Sequence, residues 1–272
     1  MISKLHLISG LPRSGSTLLC ALLRQNPRFL ASVTSPVASM CELLRIEMSG
    51  SSEFVSFFDD HKRMRMLHAV FDGFYGDAGE DHVVFDTNRT WTAKSAWIGQ
   101  LFPDARIICC VREVGWIIDS IERMLRSNPL QLSRAFDFKP GTSIYSRLDV
   151  LMNSETGLIG LPWSAFRESW FGEDAKRLIV VPYDTLVREP ERTLCRLYDA
   201  LGEEYFAHDT RQVSYDEPLY DAQLGMPGLH KVRPVIEMKQ RTPSIPPDIF
   251  AKYAESNFWV NPSMNVRGVL IL

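Results

Sequence analysis

Six residues near the amino terminus, Gly10, Arg13, Ser14, Gly15, Ser16 and Thr17, have the types and spacing to hold an anion. They follow the pattern G-x-x-x-x-G-K-[ST], in which a strand-to-helix turn aims backbone N–H groups at a phosphate over the positive end of a helix. One position departs from it. Ser16 stands where a lysine would grip the terminal phosphates of a nucleoside triphosphate, and Arg13 brings positive charge from inside the turn instead. A second anion element is Arg112, directly after the apolar run 107–111, with Ser120 eight residues further on. A guanidinium offers a planar fork to phosphate oxygens, and a hydroxyl on the first turns of the next helix can reach the same anion, although an ion pair with Glu113 is the plain alternative for Arg112. For proton transfer the candidates are Asp86, at the end of a short apolar run and expected to face the crevice with Arg89 behind it, and Glu42, on a helix that begins near Pro36. A helix cap and a surface position are the ordinary readings of these two carboxylates. His61 and His68, seven apart on one helical face, are further candidates, with a solvated or packed pair as the alternative.

The elements that must position these residues alternate. Apolar runs at 5–8, 29–33, 82–85, 106–111 and 178–181 predict strands. Helices are predicted from Leu18 to about Asn26, from Pro36 to about Glu47, on to about Phe74 after a break at 49–52, at 93–101, and from Val114 to Leu125. Further helices are predicted at 162–170, from Glu189 to Leu201, where Gly202 is a natural stop, and at 248–256. The stretch 128–161 predicts loops and one helix at 143–153, and prolines after Glu217 argue against long regular structure there. Strand-helix alternation is the signature of a parallel sheet covered on both faces, in which ligands sit beyond the carboxyl ends of the strands.

The length, 272 residues, suffices for one large α/β domain spanning 1–272 without disulfides or structural metal. Lys and Arg number 30 against 33 Asp and Glu, a formal charge of −3, so composition gives no reason to expect nucleic acid as a partner. Five cysteines, an odd count with no C-x-x-C pair, predict free thiols in a reducing compartment. The first strand starts almost at once, and no stretch reaches the about 18 apolar residues of a membrane span, so a cytoplasmic protein without a membrane partner is expected.

The segment Leu11-Pro12-Arg13-Ser14-Gly15-Ser16-Thr17-Leu18-Leu19 resembles the loop with which sulfotransferases hold the 5′-phosphosulfate of 3′-phosphoadenosine 5′-phosphosulfate (PAPS). It is closer to the tyrosylprotein-type and bacterial members than to the cytosolic type that acts on steroids and phenols. Ile107 to Arg112 with Ser120 resembles the family's 3′-phosphate element, and the segment Val180 to Val187 with Glu189-Pro190-Glu191 is similar to its strand, tyrosine and helix, where the tyrosine, here Tyr183, lies near the adenine. The segment 229–234 and the basic residues Lys239 and Arg241 fall where relatives fold a loop over the nucleotide.

The resemblance implies a three-layer α/β fold of the P-loop NTPase kind, with a central parallel sheet of about five strands flanked by helices. It implies transfer of a sulfuryl group from PAPS to a hydroxyl or amine of a small-molecule or metabolite acceptor, with no metal, and is compatible with a homodimer. Arg13, Ser14, Gly15, Ser16, Thr17, Arg112, Ser120, Tyr183, Lys239 and Arg241 would hold the donor. Relatives take the acceptor proton with a histidine or with a glutamate shortly after the second strand, but this chain has Val33-Thr34-Ser35-Pro36 there, leaving Asp86 and Glu42 as the nearest acids. Two other readings stay open: a small-molecule kinase that uses ATP, with Asp86 as its magnesium ligand, and a nucleotide-binding protein without catalysis.

Overall fold

A computed structural model describes residues 2, 4–50, 53–79, 81–136, 143–238 and 240–272. Six strands, β1 (Lys4–Gly10), β2 (Phe29–Ala31), β3 (Val83–Thr87), β4 (Ile107–Val111), β5 (Leu178–Pro182) and β6 (Leu270–Ile271), form one parallel sheet in the order β2-β3-β1-β4-β5-β6. The sixth is absent from the expected set of about five because two residues carry no periodicity.

The inner strands are apolar on both faces. Leu5 and Leu7 of β1, Val84 of β3, Ile107 and Cys109 of β4, and Leu178 and Val180 of β5 belong to one core; Ile8, Phe85, Ile108, Cys110, Ile179 and Val181 belong to a second. Successive side chains of a strand point to opposite faces, so a run apolar at every position needs a cover on each side. Helices α1 (Ser16–Leu23), α8 (Tyr183–Arg188) and α9 (Pro190–Leu201) cover the second face; α2 (Val37–Ser49), α3 (Asp60–Tyr75), α4 (Ser95–Leu101), α5 (Val114–Ser127), α6 (Ile144–Leu151), α7 (Gly160–Phe171) and α11 (Pro247–Lys252) pack on the first. The short α10 (Pro218–Gln223) lies in the proline-rich stretch.

Where sequence and structure differ, the cause is local. The helix expected up to Phe74 is two pieces, a 3-10 turn Glu53–Phe57 and α3, because Asp59 leaves the helical path and its side chain accepts from the Lys62 amide at 2.7 Å as an N-cap. The helix at 143–153 shortens to α6, capped by Ser143 and Ser146 reciprocally. β2 ends at Ala31, and the 248–256 helix breaks at Lys252 into a 3-10 turn. No helix among the described residues is long and apolar enough to cross a membrane.

This topology fixes where a ligand can sit. From β1 the chain passes to α1 on one face, and from the neighbouring β4 it passes to α5 on the other, so the two connections diverge and leave a crevice beyond the carboxyl ends of β1 and β4. Both anion elements of the sequence stand at its rim.

Candidate functional site

A cavity of about 640 Å³ opens at that crevice, walled by the β1–α1 turn, the ends of β3 and β4, the start of α8, and the segments around α10 and 229–241. The turn after β1 has an unusual backbone. Gly10 (φ 109), Arg13 (φ 58) and Gly15 (φ 94) all take positive φ, and Arg13 alone among the described non-glycine residues does so. Gly10 lies against β4, its neighbour Leu11 donating to the Cys110 carbonyl at 2.9 Å, and a Cβ on Gly10 would stand 2.2 Å from that oxygen. Ser14 is fully buried, and its hydroxyl fastens the turn to the carbonyls of Leu11 and, at 2.9 Å, Cys110. The Ser14 side chain is thus spent on the scaffold, while Ser16 and Thr17 line the cavity half-buried. Helix α1 starts at Gly15 with no side-chain cap and no acid in its first turn, so its opening amides remain for an anion.

Two arginines meet here without an ion-pair partner among the described residues. Arg13 donates from Nε to Ser120 Oγ at 3.1 Å and from a terminal nitrogen to the Leu229 carbonyl at 2.5 Å. Arg112 lies 4.3 Å from the centre of the Tyr183 ring and donates to the Arg13 carbonyl at 3.4 Å, while its Nε is buried with no hydrogen-bond partner among the described residues. Neither has a carboxylate within ion-pair distance among the described residues. Burial and then the charge of Arg112 lower the pKa of Arg13; burial, with the exposed Arg241 adding repulsion, lowers that of Arg112. A bound phosphate or sulfate would offset the repulsion that Arg112 exerts on Arg13 and would satisfy the orphaned Nε. The structure therefore brings together Arg13, Gly15, Ser16, Thr17, Arg112, Ser120, Tyr183 and Arg241 on one cavity wall. Lys239 lies outside the described residues.

The expected acids are placed elsewhere. Asp86 is completely buried and accepts from Trp91 Nε1 at 2.7 Å, from Tyr75 at 2.6 Å and from the Ser35 hydroxyl. Burial raises its pKa against the pull of those three donors. On β3 it shares the face of Val84, so it looks into the first core rather than the crevice; the residues that line the cavity are Thr87, Asn88 and Arg89. Glu42 is half-exposed on α2 and paired with Lys94 at 2.9 Å and Arg45 at 3.2 Å. Burial raises its pKa, but those two cations outweigh burial and leave it lowered. His61 is exposed on α3, and His68 packs edge-on against Phe102. None of these four lines the cavity.

One titratable pair does reach it. Asp221 on α10 is fully buried, accepting from His230 Nδ1 at 2.6 Å and from the His230 amide at 2.9 Å, and His230 is in the cavity wall. A carboxylate only accepts, so Nδ1 carries a proton, and in the neutral ring Nε2, which has no protein partner among the described residues, holds the lone pair. The pair is closed by turns at Gly225 (φ 62) and Gly228 (φ 76). Its one trace in the sequence is that G-M-P-G spacing between Asp221 and His230, which folds two polar residues back on each other.

An open parallel α/β sheet with arginines, hydroxyls and free helix amides gathered at its switch point describes an α/β protein with a crevice suited to an anion. The chain belongs to the sulfotransferase family, whose sequence profile matches residues 7–207. One solved structure shares the fold: a sulfotransferase from Alicyclobacillus acidocaldarius aligns at TM-score 0.50 and 17% identity over 82% of this chain and 90% of that one. The sulfotransferase domain of the Synechococcus PCC 7002 olefin synthase aligns at TM-score 0.47 and 18% identity over 93% of each chain. A sulfotransferase domain from the curacin biosynthetic pathway gives TM-score 0.49 and 18% identity over 76% of each. No curated protein sequence matches.

Proposed function

We propose that this sulfotransferase takes its sulfuryl group from PAPS and delivers it to a hydroxyl or amine of a small acceptor, the whole chain serving as one catalytic domain. The observation that carries the reading is the pair Arg13 and Arg112, lining one cavity from two loops beside an uncapped helix start, with no carboxylate within ion-pair distance of either among the described residues. PAPS is an adenosine with anions at two separate ends, and a receptor with two cationic ends suits it.

In this reading Arg13 and the amides of residues 14–17 hold the 5′-phosphosulfate, and Arg112, Ser120 and Arg241 hold the 3′-phosphate, with Tyr183 beside the nucleotide; Lys239 keeps the supporting role that the resemblance implies. The bound donor supplies an activated sulfuryl group whose bond to the bridging oxygen breaks as the acceptor atom bonds to sulfur. Arg13 and the helix amides stabilise the charge that gathers on the departing oxygen. His230 Nε2 takes the acceptor proton, with Asp221 fixing the tautomer and stabilising the imidazolium that results. Because Arg13 also holds the Leu229 carbonyl, the base stands next in the chain to a contact of the residue that grips the donor. A kinase would need Asp86 free to ligate magnesium, and its three hydrogen bonds oppose that role.

Calorimetry with 3′-phosphoadenosine 5′-phosphate, the product nucleotide, tests the donor. Micromolar binding that needs no magnesium, lost in Arg112→Ala, is expected; binding of magnesium ATP with none of that nucleotide would overturn the reading.

A further inference from the structure

The geometry points to an acceptor that carries its own anionic group, a carboxylate or phosphate, recognised by Arg89 and Arg134 while its hydroxyl or amine meets His230. This rests on the PAPS reading of the cavity and specifies its other half.

The cavity has more positive charge than a donor site needs. Beyond Arg13, Arg112 and Arg241, its walls hold Arg89, Arg134, Lys231 and Arg233, against a single carboxylate, Glu237, among the described residues. The donor would bring roughly four negative charges, two from a phosphate monoester and two from the phosphosulfate. Its receptor spans β1, β4 and β5. Arg89 lies across the loop on the opposite side, after β3, where the sheet continues only to β2. A cation there is displaced from the 3′-phosphate end of the donor.

Arg89 is held for use. Its carbonyl accepts from Ser9 Oγ at 3.0 Å, the preceding Asn88 amide donates to the Ile8 carbonyl at 3.0 Å, and Asn88 Oδ1 accepts from both the amide and hydroxyl of Thr90. That pinned turn presents an arginine that lines the cavity and is exposed to solvent there. Its electrostatic neighbour is the phenol of Tyr220, and no carboxylate among the described residues lies within ion-pair distance. Arg134 lines the same cavity from another segment. Its amide donates to the Leu224 carbonyl at 3.1 Å, at the end of the helix that bears Tyr220 and Asp221. Arg89, Arg134 and His230 are thus gathered about α10, His230 with its ring 5.5 Å from that of Tyr220. Both arginine side chains are exposed to solvent at the cavity and without an ion-pair partner among the described residues, so each is free to exchange water for an anion, and fork-shaped donors suit carboxylate or phosphate.

The test uses the intact protein with ³⁵S-labelled PAPS and a metabolite extract split on a strong anion exchanger into neutral and anionic fractions. Label should pass to acceptors in the anionic fraction. With the labelled product's parent acceptor, Arg89→Gln should raise KM by about tenfold or more, with a smaller change in kcat and unchanged affinity for 3′-phosphoadenosine 5′-phosphate. The methyl ester or amide of that acceptor should be equally poor with wild type and variant. Transfer chiefly into the neutral fraction overturns the proposal, as does an equal fall in kcat for charged and esterified acceptors, which would put Arg89 on the sulfuryl group. So does no transfer at all by protein that binds the product nucleotide. Loss of nucleotide binding in the wild type would instead sink the donor reading.

Discussion

Arg13 and Ser120 come from different faces of the sheet and meet at 3.1 Å, Nε to Oγ, so the loop after β1 and the helix after β4 are joined by one hydrogen bond across the crevice. A donor that occupies both anion sites must exchange that bond for its own. Arg13→Ala should lower kcat about a hundredfold or more, as removal of a transition-state donor does. Ser120→Ala should act mainly on nucleotide affinity, and single-turnover rates beside calorimetry separate the two; equal effects on binding and rate from both changes would count against these roles.

His230→Ala should lower kcat on the order of a hundredfold or more, the usual contribution of a positioned base, with nucleotide affinity unchanged. Added imidazole should restore part of the rate. Asp221→Asn should give a similar loss, because an amide can donate to Nδ1 and so put the ring proton on Nε2. A variant that keeps most of its kcat, or that imidazole leaves unchanged, would remove His230 from the base position.

Gly10→Ala forces a Cβ to 2.2 Å from the Cys110 carbonyl oxygen at a φ of 109, and main chain on both sides cannot yield. Destabilisation on the order of 3 kcal/mol or more is expected in denaturant titration. Gly202→Ala, also at positive φ but with nothing within 4 Å, should cost only about 1 kcal/mol. Similar costs at the two positions would show that the β1–β4 approach is not the constraint.

What the sequence revealed depended on how local each signal was. β4 and β5 were legible because strands buried on both faces are apolar at every position, and the anion loop because its glycines are spaced by the turn itself. Asp86 was assigned to the crevice from its place at a strand end. Strand parity, which puts it with Val84 and leaves Thr87 on the cavity, was the better guide. The Asp221–His230 pair was not legible because it depends on how an aperiodic, proline-rich stretch folds back through two glycines, and no apolar pattern records that path.

Cys20 and Cys41 have thiols pushed up to about 12, and burial raises Cys109 and Cys110 as well, whereas Cys195 is exposed on α9. A buried thiol that stays protonated is inert to disulfide exchange. Ellman's reagent should therefore titrate one thiol in the native protein and all five after denaturation. Rapid reaction of a second native thiol would show that one of the two cores opens readily.

His6 gives the protein an acid-sensitive joint. It lies on β1, almost wholly buried, its Nδ1 accepting from the Arg106 amide at 3.2 Å and its Nε2 without a partner. Burial, then the charges of Lys4 and Arg106, lower its pKa from 6.5 to about 3. Between those values the unfolded chain binds a proton that the folded chain refuses, so stability falls as pH drops through that window, by up to about 1.4 kcal/mol per pH unit. Asp86, whose raised pKa acts in the opposite direction as pH falls, and other carboxylates add their own slopes, but these are shared by a variant that lacks only the imidazole. His6→Leu leaves the Arg106 amide without its acceptor and should be less stable at pH 7. The gap between wild type and variant should then narrow from pH 6 to pH 4 at close to one proton's slope, read from urea titrations at each pH. Parallel stability curves would mean that the folded protein admits a charged His6, and that the first strand is less tightly enclosed than its packing indicates.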